Sequence, residues 1–286
     1  MLPTETKIGL ARLLNRIVVG ARSLVGLGPC VRVSRHGVAW ALDLNEGIDL
    51  AIYLNVYQSV PRRMRAHLAQ PGAVALDIGA NIGSHSLPLA RCVGPFGRVI
   101  AIEPTGYAFS KLVANAGLNP DLAERLILVQ AALTAGPAEG ASRHFYSRWP
   151  LRDQDPSRHA RHRGRLQSAA GARFVALDTL LAELRAAGRV NGPVSFVKLD
   201  VDGHELEVLR GGAQTFSQDR PLLLMEIAPF VQDDVAHRFE ALIETLRGFS
   251  YRLEEGASGK PLPLSAEELR RIIPEGAGMD AAGWPA

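Results

Sequence analysis

Ala75-Leu76-Asp77-Ile78-Gly79-Ala80-Asn81-Ile82-Gly83-Ser84, ALDIGANIGS, decides how this chain is read. An apolar run stops at the carboxylate of Asp77 and passes into a loop in which Gly79 and Gly83 bracket three residues. A strand that spills into a glycine turn and then a helix opens a βαβ unit, and such a turn is built to hold a ligand.

The rest of the chain repeats that rhythm. Strands are predicted at 74–78, 98–103, 126–131, 194–200 and 222–227, with helices near 84–92, 106–117, 178–187 and 204–211. Val-, Ile- and Leu-rich strands alternating with helices predict an α/β protein with a doubly wound, mostly parallel sheet. Its ligand belongs at the carboxyl ends of the strands.

Around this core the reading is coarser. Residues 1–70 form an extension: a helix over 7–25, short strands and turns over 31–57, and a further helix up to the Gln70-Pro71-Gly72 turn. In the first helix Ile8, Leu14, Ile17, Ala21 and Leu24 recur at helical spacing, with Arg12, Arg16 and Arg22 between them. That pattern serves either a helix packed on the domain or a basic helix at an anionic membrane surface. Residues 71–255 form the main domain. Within it, 142–173 interrupts the rhythm with eight arginines (Arg143, Arg148, Arg152, Arg158, Arg161, Arg163, Arg165, Arg173) and three histidines (His144, His159, His162), and reads as a substrate lid. Residues 256–286 read as a Pro/Gly-rich tail with one short helix at Ala266–Ile273.

Composition narrows the partners. With 32 basic and 29 acidic residues the net charge is +3, too small to call for nucleic acid. The two cysteines, Cys30 and Cys92, have no disulfide or zinc spacing and fit a reducing compartment. No run reaches the roughly 18 apolar residues a bilayer span needs. Arg12 and Arg16 break the apolar core that a signal peptide would require. The expected location is cytoplasmic; the membrane-surface reading of 7–25 would add a peripheral contact at the inner membrane face.

Three ligands compete for the loop. A P-loop needs a lysine after its last glycine, where Ser84 and His85 stand. A dinucleotide fingerprint needs GxGxxG, and Ala80-Asn81 breaks that spacing. S-adenosylmethionine brings a zwitterion and no phosphate. Asp77, the Gly79–Gly83 turn and the following helix N-terminus offer an ammonium acceptor, a tight turn and carboxylate donors. Glu103, closing the second strand, suits a ribose diol, although NAD folds also place an acid there.

At this point LDIGANIGSHSL, IAIEPTGYAFSKLVANAGLN, VKLDVDGHELEVLRGGAQTF and LLLMEI, in that order, resemble the FkbM-type family of S-adenosylmethionine-dependent methyltransferases. The resemblance covers about residues 40–230. It implies a class I methyltransferase (Rossmann-like) fold with a seven-stranded sheet and one antiparallel strand near an edge. It also implies methyl transfer to oxygen, commonly a hydroxyl of a sugar or secondary metabolite. By matching positions, Asp77, Gly79, Asn81 and Gly83 would hold the methionine end, Glu103 the ribose, and Gln130 and Ala131 would lie near the adenine. Asp202 stands where the family often has Glu.

Methyl transfer from a sulfonium depends much on positioning, but an aliphatic hydroxyl gains from a nearby base. The fourth strand ends in Lys198-Leu-Asp200-Val-Asp202-Gly203-His204. His204 is the candidate base, with Asp200 orienting it or the substrate; Asp202-Gly203 as a plain turn is the competing reading. Asp200, Asp202 and His204 as ligands of a divalent cation are a minor alternative, and the expectation is no metal. His85 is expected on a helix surface, with contact to the cofactor carboxylate as the lesser reading. The Asn/Asp-Pro-Pro-aromatic motif of base-amino methyltransferases is absent after the fourth strand, where DVDG stands. An anionic acceptor, such as a phosphorylated or lipid-linked sugar, would suit 142–173 as an arginine-rich lid; a solvated loop with no substrate role is the equal competing reading. An NAD(P)-dependent oxidoreductase or epimerase, and a non-catalytic S-adenosylmethionine-binding protein, remain as alternatives.

Overall fold

The computed structural model describes residues 4–57, 60–136, 144–152, 164–232 and 235–286. In chain order its strands are β1 (Cys30–Arg35), β2 (Val38–Asp43), β3 (Val74–Ile78), β4 (Arg98–Ile102), β5 (Leu126–Val129), β6 (Ala131–Leu133) and β7 (His144–Arg148), followed by β8 (Arg165–Ser168), β9 (Arg173–Val175), β10 (Val194–Leu199), β11 (Leu222–Ile227), β12 (Tyr251–Glu255), β13 (Pro261–Leu262) and β14 (Met279–Pro285).

Among the described residues the main sheet has eight strands in the order β13-β12-β14-β11-β10-β3-β4-β5. The run β11-β10-β3-β4-β5 is parallel, and β14 lies antiparallel between β11 and β12. The expected seven strands are therefore present, with the two-residue β13 added at one edge.

The parallel strands are mostly apolar because both faces are covered. In β3, Val74, Leu76 and Ile78 join the core on one face, while Ala75 joins the other. The first face is packed by helices Leu177–Ala186, Glu205–Gly211 and Arg238–Gly248. The second is packed by helices Arg62–Leu68 and Ser86–Cys92 and by the β1–β2 hairpin.

Three expectations change. The stretch 256–286 is not a peripheral tail, because β14 fills an inner position of the sheet. A small-residue strand is required there: a Cβ on Gly283 would sit 3.1 Å from both Leu223 Cβ and Tyr251 Cδ1. Second, the predicted strand 126–131 ends at Val129; Ala131–Leu133 leaves the sheet and pairs parallel with β9. Third, the two ends of the 142–173 interruption form an antiparallel hairpin, β7 with β8. Arg143, just before β7, and the middle of the interruption, including Arg158, His159, Arg161, His162 and Arg163, lie outside the described residues.

Candidate active site

The loop after β3 is shaped by backbone constraints. Gly79 has φ +82°, and a Cβ there would fall 1.8 Å from the Asp200 carbonyl oxygen. Only glycine lets β3 and β10 end so close together. Gly79 and Ala80 donate their N–H groups to the Ile102 carbonyl, each at 3.0 Å, and Asn81 (φ +48°) donates its own to Glu103 Oε2 at 3.0 Å. The loop is thereby fastened to the carboxyl end of β4.

Above it opens a cavity continuous with solvent. The ends of β3, β4 and β10 supply Gly79, Asn81, Glu103, Lys198, Asp200, Asp202 and His204. Ala131, Ala132 and Leu133 form an apolar wall. Tyr57 and Ser84 line another side, and Phe145, Ser147 and Trp149 of the β7 segment lie over the mouth.

Of the cofactor residues expected from sequence, Gly79, Asn81, Glu103 and Ala131 line this cavity. Asp77, Gly83 and Gln130 do not. Asp77 is fully buried, with Oδ2 accepting from the Ser86 hydroxyl and Oδ1 lying 3.9 Å from the Lys198 ammonium without a hydrogen bond. Burial pushes its carboxyl up, against the pull of Lys198. It sits beneath the site rather than in it. Gly83 (φ +91°) is a packing position, where a Cβ would meet Leu112 Cδ1 at 2.9 Å. Gln130 spans from the Pro104 carbonyl to the Ala170 carbonyl, at 3.5 Å each, because the chain turns out of the sheet there.

Glu103 is 3% exposed and accepts from Asn81 N–H, Thr105 N–H and the Thr105 hydroxyl. A carboxylate has about four acceptor positions, so one remains for a ligand hydroxyl. The Ser147 hydroxyl bonds to Thr105 Oγ1 at 2.9 Å and Asn81 Nδ2 donates to the Ser147 carbonyl, so β7 is stitched to this corner.

Asp200 and His204 both line the cavity, but no hydrogen bond between them is seen. The Asp200 carboxylate pairs with Lys198 at 3.2 Å. Lys198, 5% exposed, also donates to the Gly79 carbonyl at 3.3 Å, and its two acidic neighbours raise its pKa against the cost of burial. Sequence reasoning passes over this lysine as a site residue. The signal is a single cation inside the otherwise apolar β10. The His204 ring stands edge-on to Phe145, with centroids 5.1 Å apart, and no described residue hydrogen-bonds it. Burial lowers its pKa.

Asp202 (φ +48°) and Gly203 (φ +99°) do form the turn that the competing reading describes, yet Asp202 also lines the cavity. Burial first, then Asp200 and Glu226, hold its carboxyl well above the ordinary range. Among the described residues no group of three or more His, Cys, Asp or Glu side chains is placed to hold a metal ion.

His85 is not the surface residue expected. It is half-buried, edge-on to Tyr57 with ring centroids 5.4 Å apart, and its Nδ1 has no partner. Burial, then the Lys198 cation, pulls the imidazole down to about 3. Tyr57, whose hydroxyl meets Ser84 Oγ at 2.9 Å, is a further site residue that sequence did not single out, because it comes from outside the core motifs.

Three of the four described arginines of the insertion are engaged within the protein. Arg148 pairs with Glu46 and lies 4.1 Å from the Tyr107 ring centroid, Arg152 donates to Asn15 Oδ1, and Arg173 pairs with Glu183.

A mostly parallel sheet with a glycine loop after β3, an acid after β4, and the antiparallel β14 between β11 and β12 has the architecture of the class I methyltransferase fold. The profile of the methyltransferase FkbM domain matches residues 77–253, more than half of the chain. The chain belongs to that family. Solved structures it resembles include an FkbM methyltransferase from Methylobacillus flagellatus (15% identity, TM-score 0.44, covering 74% of this chain and 44% of that one). Others are a SAM-dependent O-methyltransferase from Thermotoga maritima (13%, 0.41, 93% and 81%) and an O-methyltransferase from Bacillus cereus in complex with SAH (13%, 0.42, 78% and 77%). A 50-residue stretch is 42% identical to a 23S rRNA (uracil(1939)-C(5))-methyltransferase of Acinetobacter baylyi, covering 18% of this chain and 11% of that one. The chain thus spans less than half of the Methylobacillus protein and a small part of the rRNA enzyme.

Proposed function

We propose that this protein transfers a methyl group from S-adenosylmethionine to a hydroxyl of a sugar, glycan or small metabolite. The observation that carries the reading is His204: an imidazole at the cavity, kept neutral by burial and with no described hydrogen-bond partner. An aliphatic hydroxyl is the acceptor that most needs such a base.

The residues present fit the cofactor. Lys198 and Asp200 set a cation and an anion 3.2 Å apart, which complements the carboxylate and ammonium of an amino-acid end. Asp200, whose side chain is 41% exposed, is the open partner, and the orphaned Oδ1 of Asp77 backs it. Glu103 keeps one acceptor position for the ribose, and Ala131, Ala132 and Leu133 offer an apolar wall for a base. When bound, the cofactor supplies a methyl group on a sulfonium, an already activated leaving group. His204 takes the acceptor's proton, Phe145 holds its ring edge-on, and the β7 segment excludes water.

The test is calorimetric titration with S-adenosylhomocysteine and with NAD, followed by an acceptor screen with labelled S-adenosylmethionine. Micromolar binding of the first and none of NAD is expected. The His204→Ala variant should keep that binding and lose turnover. Binding of NAD alone would overturn the reading, and binding without turnover on any acceptor would favour a non-catalytic protein. An anionic acceptor draws no support from Arg148, Arg152 or Arg173, which are already engaged.

A further inference from the structure

The first helix, Thr4–Leu24, is held by one side. Asn15, 1% exposed, donates to the Leu44 carbonyl, and Val19 packs with Leu44, Leu50 and Leu151. Asn15 also accepts from Arg152, so the helix braces the segment that roofs the cavity. Ala11, Leu14 and Val18 pack on that inward side as well, yet the outward side is also apolar. Leu10, Leu13, Ile17 and Leu24 are 53%, 55%, 59% and 90% exposed, and at 100° per residue they fall within one narrow stripe. Val25 and Leu27 extend it, at 71% and 50% exposed. An anchored helix ordinarily turns polar residues outward; here, beyond the inward face filled by Leu14, Asn15, Val18 and Val19, a second apolar stripe faces water.

Charge indicates what covers this stripe. The helix carries Lys7, Arg12, Arg16 and Arg22 against one acid, Glu5. Its net +3 equals that of the whole chain. Exposed Lys7 and Arg16 flank the stripe on opposite sides. No described helix is long and apolar enough to cross a membrane. A second copy placed on the stripe would set these cations against their own copies. An anionic bilayer offers both hydrocarbon for the leucines and counter-charge for the flanks.

We infer that the Thr4–Leu24 helix lies in the interface of an anionic lipid bilayer, Leu13 and Ile17 inserted and Lys7 and Arg16 at the headgroups. The methyl-transfer cavity then operates beside a lipid surface, which suits an acceptor presented there. The docking itself does not depend on which acceptor is methylated.

The experiment is co-sedimentation of the full chain with vesicles of phosphatidylcholine mixed with phosphatidylglycerol, and with phosphatidylcholine alone, alongside light-scattering mass determination. Binding to the anionic vesicles is expected, weakening as salt is raised and falling about tenfold or more in Ile17→Glu. Leu13→Gln is the milder second variant. Both sites face solvent, so circular dichroism melting should be unchanged, and S-adenosylhomocysteine binding should persist in both. Absence of vesicle binding would overturn the inference. So would binding that ignores both variants, or a dimer that Ile17→Glu dissociates, which would make the occupant a second copy.

Discussion

At the scale of single residues the site is governed by how burial moves protons. His204 is pulled below its ordinary 6.5 by desolvation, which outweighs the nearby Glu207. Its neutral, proton-accepting form therefore predominates at pH 7 and is lost as pH falls through a midpoint under 6.5. The acid limb of kcat/KM should lie below 6.5, and a midpoint above 7 would remove His204 from the role. His204→Ala should cost about 10²–10⁴ in kcat, the usual worth of a positioned base. Gly79 is the other decisive residue, for steric reasons. Gly79→Ala forces a Cβ to 1.8 Å from the Asp200 carbonyl oxygen at a φ of +82°. The ends of β3 and β10 must part, at a cost of about 3 kcal/mol or more in urea unfolding, with S-adenosylhomocysteine affinity lost as well. An unchanged midpoint in urea would mean that the two strand ends separate freely.

Elements differ in how openly the sequence announces them. The five parallel strands are legible because each is a short Val/Ile/Leu run ended by a turn or an acid, a pattern that burial on both faces demands. The glycine loop and Glu103 are legible for the same reason, since they sit at those strand ends. β14, MDAAGWP, is not legible: tight packing between β11 and β12 selects small residues, which carry no strand signal. Asp77 misleads differently. A carboxylate at a strand end suggests a ligand contact, but Ser86, nine residues on, and Lys198, from another strand, claim it. Such long-range partners leave no local mark. The β7 segment is the least legible part, because its place over the cavity depends on Glu46 taking Arg148 and on Asn45 and Trp149 exchanging backbone bonds with their opposites, Leu151 N–H to the Asn45 carbonyl at 2.7 Å and Gly47 N–H to the Trp149 carbonyl at 3.1 Å. Glu46 is 5% exposed, so Glu46→Gln leaves Arg148 without its counter-charge in a partly buried place. The roof should loosen. S-adenosylhomocysteine should bind about tenfold more weakly, with kcat changed less than KM. Equal affinity in variant and parent would show that the roof is held by its backbone bonds alone.

For the whole molecule, the buried titrating groups set opposing slopes of stability against pH. His85 is lowered to about 3, so between 6.5 and 3 the unfolded chain binds a proton that the folded chain refuses, and stability falls as pH falls through that window. Glu226 acts in the other direction. Burial, then Asp200, Asp280 and Glu205, push its carboxyl up to about 8, with Lys7 only partly offsetting them. Between 4.5 and 8 the folded chain keeps a proton that the unfolded chain releases, so stability falls as pH rises. Asp202, Glu205 and Asp280 are also raised and add to this alkaline-side loss. The two slopes oppose each other between 4.5 and 6.5, and only the carboxyl group's slope continues above 6.5. The melting temperature of the ligand-free protein should therefore be highest in mildly acidic buffer and decline from pH 6.5 to 8. Glu226→Gln removes one titration from that upper window while keeping a neutral group of the same shape. Its melting temperature should match the parent near pH 5 and exceed it at pH 8. If the parent is instead most stable at pH 8, or if the variant declines as steeply as the parent, the carboxyl cluster at the ends of β10, β11 and β14 is not sharing charge in the way its spacing requires.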